Sequence, residues 1–257
     1  MKNPMDLSGR TILVTGAAQG IGAAAARQIA KLGGTPVVLD LNGDRLRAVA
    51  EEIGIDPQDA HVGSVLDGDF VSAVVNAAVK RHGRVDGLLN NAGVTRPATI
   101  AKMSAADWQT VIDVNLTGVH LCQQAVGRHI LSRAEKGTSG NGAIVNVSSI
   151  AGRRGTFGQV NYAAAKAGVF GLTMSAAKEW AAYGIRVNSV AFGIVETPMT
   201  EVIRSEERRE GSLKQIPLGR FAKPEEVVVP ICFLLSDAAS YITGQNLTVD
   251  GGIHIGF

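Results

Sequence analysis

Cysteine is almost missing from this chain. Cys122 and Cys232 are the two present in 257 residues, far apart and each inside an apolar helical pattern. Buried thiols are the better reading, consistent with a reducing compartment. Long hydrophobic runs are missing too, since none approaches the ~18 residues of a membrane span. The opening stretch, Met1 to Ser8, lacks the apolar centre of a secretion signal. Charge of one sign is not in excess either: 25 basic against 23 acidic side chains leave a net +2. That balance gives no reason to expect nucleic acid or an anionic membrane as a partner. Repeats, low-complexity tracts and linkers do not interrupt the chain. The expectation is a soluble, cytoplasmic, single-domain protein spanning residues 1–257, with no metal site.

What is present is a regular alternation of short apolar runs and helical patterns, within 46% hydrophobic residues and 31 glycines. Thr11 to Thr15, Pro36 to Leu39, Ala60 to Val62, Val85 to Leu89, Ala143 to Val147, Ile185 to Ala191 and Leu247 to Val249 read as strands. They lack polar alternation, as strands buried on both faces do. Between them lie helical patterns, including an alanine-rich one ending at Leu32, Asp44 to Ile53 and Asp69 to His82. Ser104 to Asp107 forms a capping pattern that opens a long helix to about Arg133. Pro224 starts a later helix. Glu135 to Asn141 and Gly152 to Gly158 read as loops, and the polar stretch from Met199 to Lys214 as a mobile segment. The alternation implies an α/β fold: one doubly wound, Rossmann-type parallel sheet of about seven strands with helices on both faces.

Several motifs sit where this fold would bring chemistry. The first strand runs into Gly16-Ala-Ala-Gln-Gly-Ile-Gly22 and then a helix, the context of a dinucleotide turn, where glycines let backbone N–H groups approach a pyrophosphate. Asp40 ends the second strand, eighteen residues after Gly22. A carboxylate there accepts hydrogen bonds from adenosine ribose hydroxyls and repels a 2′-phosphate. Neither Gln19 nor Leu41 supplies a cation to welcome that phosphate, so NAD is favoured over NADP. Asn90-Asn-Ala-Gly93 follows the strand ending at Leu89. Asn115 falls inside a helix, where its side chain competes for backbone hydrogen bonds. Ser148-Ser149 end another strand. Tyr162 and Lys166, four apart, share one face of a helix, where an ammonium near a phenol draws its pKa down from about 10.

Together these residues resemble the short-chain dehydrogenase/reductase family over nearly the whole chain. The resemblance implies that Tyr162 is the acid/base, that Lys166 lowers its pKa and holds the nicotinamide ribose, that Ser149 polarises the substrate oxygen, and that Asn115 positions a water leading to Lys166. Ser149 stands thirteen residues before Tyr162, with Ser148 its neighbour. Gly16, Gln19, Gly20, Ile21 and Gly22 are implied at the pyrophosphate, Asp40 and Leu41 at the adenosine ribose, Ser64 and Val65 near adenine, and Asn91, Ala92 and Gly93 along the cofactor. Tyr162 and Lys166 also touch it, with Val195 and Thr197 near the carboxamide. Two departures stand out: Ser64-Val65 replaces the family's frequent Asp-Val, and Phe192-Gly193 replaces its Pro-Gly, releasing a fixed φ.

The leading reading is an oxidoreductase moving a hydride between NAD, with NADP second, and a small secondary alcohol or ketone. Similarity to 3-oxoacyl-carrier-protein reductases and to sugar- and hydroxyacid-oxidising members keeps the carrier-protein reductase as an alternative. A catalytically silent NAD-binding regulator is the remote one. Arg153 and Arg154 read as solvated surface charges sooner than as an anchor for an acidic substrate. The resemblance also implies a homotetramer.

Overall fold

The computed structural model describes residues 3–135 and 141–255. Seven parallel strands form its sheet: β1 (Thr11–Thr15), β2 (Thr35–Asp40), β3 (Ala60–Val62), β4 (Gly87–Asn90), β5 (Gly142–Ser149), β6 (Ile185–Phe192) and β7 (Asn246–Val249). Their order is β3-β2-β1-β4-β5-β6-β7, so the winding reverses between β1 and β4. Ligands of such sheets bind beyond the carboxyl ends of the strands at this reversal.

Ten helices complete the described fold: α1 (Gly20–Lys31), α2 (Gly43–Ile53), α3 (Gly68–His82), α4 (Ala105–Ile112), α5 (Gly118–Glu135), α6 (Ala151–Arg154), α7 (Val160–Trp180), α8 (Glu201–Arg204), α9 (Glu206–Leu213) and α10 (Pro224–Leu235). Strand side chains alternate between faces. Ile12 and Val14 therefore join one core with Ile29 of α1, Leu46 of α2 and Val227, Ile231 and Leu234 of α10. Leu13 turns to the other, with Val71 and Val75 of α3, Cys122 and Val126 of α5 and Ala176 of α7. Both thiols are buried and unpaired. Both faces of the sheet are covered, which is why its strands show no polar alternation.

Four local readings need correction. The stretch expected as one helix from Ser104 to Arg133 is broken by a π turn at Asp113–Thr117, where the Gly118 N–H reaches back to the Asp113 carbonyl. Ser104 does cap the first part, its Oγ accepting from Asp107 N at 3.0 Å. Residues 152–158 are not all loop, because Ala151–Arg154 makes a helical turn. Residues 199–214, expected to be mobile, are largely helical. Their acidic first turn suits the N-terminus of α9, and Arg209 stacks 5.2 Å from the Phe221 ring centroid. Arg153 is not a solvated charge: it donates to the Asn246 carbonyl at 2.6 Å and lies over Phe170. Of the loop expected at 135–141, residues 136–140 lie outside the described part.

Candidate active site

Thr15, the last residue of β1, ties the two sides of the reversal together. Its Oγ1 accepts from the N–H groups of Asn91 and Ala92 at 2.9 and 3.0 Å. Asn91 returns the contact, its Nδ2 donating to the Thr15 and Gly16 carbonyls, each at 3.0 Å. The turn after β1 is held so close that Gly16, at φ +67°, has no room for a Cβ: it would lie 2.8 Å from Ala92 Cα. At Gly22 a Cβ would meet the Gly16 carbonyl oxygen at 2.1 Å.

Beyond this turn opens a cleft of about 340 Å³. Gly16, Gln19, Gly20, Ile21, Asp40, Leu41, Ser64, Val65, Asn91, Ala92, Gly93, Ser149, Tyr162, Lys166, Val195 and Thr197 all line it. So do both departures, since Phe192 and Gly193 border it beside Ser64 and Val65. Gly22 and Asn115 do not line it. Gly22 stands behind the turn and lets it close. Asn115, fully buried by the π turn, accepts from Val94 N at 2.9 Å and donates to Val94 O at 2.8 Å. Both polar groups of its side chain are thus engaged by a residue of the cleft wall.

At one end of the cleft sits Asp40. Its Oδ2 accepts from Ala18 N at 3.1 Å and its Oδ1 from Asn42 N at 2.9 Å. Those bonds aim the carboxylate and leave lone pairs on both oxygens. Arg45, from the first turn of α2, donates to Gln19 Oε1 at 2.5 Å. A cation therefore does stand on this rim, five residues beyond Asp40. Sequence inspection missed it because only the turn from β2 into α2 brings Arg45 to Gln19.

At the other end are Ser149, Tyr162 and Lys166. Ser149 Oγ accepts from Ala151 N at 3.1 Å, leaving its O–H free to donate, and Ser149 acts to lower the pKa of the Tyr162 phenol. Ser148 also borders the cleft, but it is buried and spends its hydroxyl on the Lys166 carbonyl, donating at 2.8 Å. Of the two serines, Ser149 is the one whose O–H remains free to donate into the cleft. Burial pushes the Tyr162 phenol up to about 12, against the pull of Ser149. Burial likewise brings the Lys166 ammonium down to about 8. Lys166 Nζ donates to the Val147 carbonyl at 2.7 Å and lies 5.7 Å from the Tyr162 ring centroid. The ammonium lies over the ring, and the lowering of the phenol by Lys166 expected from spacing is outweighed here by burial.

The arrangement joins a proton-carrying phenol, a hydroxyl donor and a buried ammonium to a cleft that reaches from Tyr162 to Asp40, with N–H groups at a glycine turn and helix N-terminus. The pattern of the enoyl-(acyl carrier protein) reductase family matches residues 16–254. The chain belongs to the short-chain dehydrogenase/reductase family. This chain is 47% identical over 253 residues to the 3-oxoacyl-[acyl-carrier-protein] reductase of Thermotoga maritima, covering 98% of this chain and 100% of that one. It is 41% identical over 251 residues to the enzyme of that name from Aquifex aeolicus, covering 96% and 98%. Among solved structures, a short-chain type dehydrogenase/reductase from Mycobacterium marinum matches with TM-score 0.90 at 32% identity, covering 98% of each chain. A structure from Beutenbergia cavernae that holds NADP at low occupancy matches at 0.89 and 36%, covering 98% and 99%. The Rossmann-type fold and oxidoreductase class expected from the sequence are those of the family. Among the described residues, no helix is long and apolar enough to cross a membrane.

Proposed function

We propose that this reductase interconverts a secondary alcohol and its ketone, with Tyr162 as the acid/base. The observation that carries the reading is that Ser149, Tyr162 and Lys166 line one cleft, with the Lys166 ammonium 5.7 Å from the Tyr162 ring centroid. In reduction, Ser149 O–H donates to the carbonyl oxygen and stabilises the charge developing there. Tyr162 O–H delivers the proton to that oxygen; in oxidation the same oxygen takes it back. When bound, the nicotinamide cofactor supplies or accepts the hydride. Lys166, released from Val147, is within the same wall to hold a ribose hydroxyl, and its charge favours the phenolate. Asn115 acts through Val94, fixing the wall opposite Tyr162.

The cofactor reading remains NAD. Asp40 faces the cleft with free lone pairs and repels a 2′-phosphate. Arg45 works against that preference, which makes NADP the second reading, and the NADP held by the Beutenbergia cavernae structure supports that second reading. The 3-oxoacyl thioester carried by a carrier protein is the alternative substrate, supported by the names of the relatives. Exposed Leu247 and Tyr241 beside the open edge of β7 support a homotetramer, and the paired-charge, cysteine-poor composition supports a cytoplasmic site.

The test is Tyr162→Phe assayed with NAD(H) over a panel of ketones and alcohols that includes a 3-oxoacyl thioester. General acid–base assistance is worth about 10²–10⁴ in rate, so turnover falls by that factor while the cofactor still binds. Near-normal turnover would remove Tyr162 from the mechanism.

A further inference from the structure

α7 carries both Tyr162 and Lys166, yet its N-cap residue, Gln159, makes no side-chain capping bond. The first turn of a helix leaves several N–H groups without partners. One of these is the N–H of Tyr162, and it is met from an unusual place: Asn161 Oδ1, at 2.8 Å. The other end of the same carboxamide reaches across the cleft mouth. Asn161 Nδ2 donates to the Arg96 carbonyl at 3.0 Å and the Asp107 carbonyl at 3.2 Å, with the Met103 sulfur at 3.4 Å. Asn161 itself has no solvent exposure.

Arg96 and Met103 belong to the segment that leaves β4, and Asp107 to the first turn of α4. Val94 lines the cleft, and Asn115 grips it from below by its N–H and C=O. Asn161 grips the same segment two residues later at Arg96. A third latch lies beyond, where Ala98 N donates to Gly158 O at 2.9 Å and Ala98 pairs with Gln159. The wall is therefore pinned from the π turn on one side and from the turn leading into α7 on the other. A carboxamide suits this place because it alone offers two donors and an acceptor from one short side chain.

We propose that Asn161 is a positioning residue that sets the distance between Tyr162 and the segment from Val94 to Met103, by bonding the Tyr162 amide with one end and the carbonyls of Arg96 and of Asp107 in α4 with the other. This rests on the reading of Tyr162 as acid/base. Removing the donors frees the wall to move while the fold stays closed on its two cores. Misplacing reacting groups by an ångström costs far more in turnover than in cofactor binding, and the cofactor's turn after β1 makes no contact with Asn161.

Asn161→Asp keeps the volume and the acceptor but sets oxygens against the carbonyls of Arg96 and Asp107. Asn161→Ala removes both ends. Each is compared with the wild type and with Tyr162→Phe as purified full-length protein. The readouts are NADH affinity by fluorescence titration, kcat and KM for ethyl acetoacetate reduction, and amide hydrogen exchange of residues 94–103 and of Tyr162. In both Asn161 variants kcat falls about 10- to 100-fold with NADH affinity unchanged, and residues 94–103 exchange faster. The Tyr162 amide stays protected in Asn161→Asp and loses protection in Asn161→Ala. Unchanged exchange at 94–103, in either variant that folds, overturns the inference whatever the rates do. Wild-type turnover in Asn161→Asp while Tyr162→Phe is inactive overturns it alone, whereas an active Tyr162→Phe overturns the acid/base reading instead.

Discussion

Lys166 offers a test of the site that needs no substrate. Its ammonium is buried, and burial alone brings its pKa from the ordinary 10.5 down to about 8. Each pH unit between the two values is worth about 1.4 kcal/mol, so holding the charged form inside the folded chain costs about 3 kcal/mol at neutral pH. Between pH 8 and 10.5 the unfolded chain keeps the proton that the folded chain has released. The unfolded state then binds more protons, and stability rises with pH across that window. Lys166→Met has no such group. The difference in unfolding free energy, wild type minus variant, is therefore flat below pH 8 and rises by about 3 kcal/mol across the window. Urea unfolding at matched protein concentration, without cofactor, measures it at pH 7, 8, 9 and 10. Tyr162, pushed up to about 12, loses stability in the opposite direction above pH 10, and the thiols of Cys122 and Cys232, also about 12, cancel in the difference. A difference that does not change from pH 7 to 10 would refute the claim that Lys166 is held charged in a desolvated place.

Gly22→Ala tests the turn behind the cleft. Its methyl would overlap the Gly16 carbonyl oxygen at 2.1 Å, and such overpacking typically costs 1–3 kcal/mol, here about the upper figure. Thermal unfolding and cofactor titration both shift downwards; wild-type NADH affinity would show that the turn is not needed in this shape. Asp40→Ala and Arg45→Ala test the adenosine end in opposite senses. The first raises the NADP-to-NAD ratio of kcat/KM and the second lowers it, and a ratio indifferent to Asp40 would end its role as discriminator.

The glycine turn, Asp40, Ser149 and the Tyr162–Lys166 pair were legible because each motif is local and sits at the carboxyl end of a strand or the start of a helix. Their meeting in one cleft follows from parallel strands, which put all such ends on one side. The choice between Ser148 and Ser149 needed the Lys166 carbonyl, which takes the Ser148 hydroxyl and leaves that of Ser149 free. Arg45 was illegible for the opposite reason, because it reaches Gln19 across 26 residues of sequence. Asn115 and Asn161 were visible as letters without partners. The former bonds Val94 across 21 residues and the latter bonds Arg96 across 65, and no local pattern reports such contacts. The segment 199–214 misled because an acidic, charged stretch reads alike whether it is a polar surface helix or a loop; α8 and α9 form where Arg209 finds Phe221.

By itself the sequence determined the alternation of buried strands and helices, hence the single parallel sheet, the family, and the residue types available for hydride and proton transfer. Periodicity and short spacing carry that information, since they depend on neighbours along the chain. The tertiary structure alone decided the electrostatics. Burial sets the resting state of both Tyr162 and Lys166, raising the phenol and lowering the ammonium. It also decided which side chains face the cleft and which stand behind it, because desolvation and long-range hydrogen bonds exist only once distant segments are packed together.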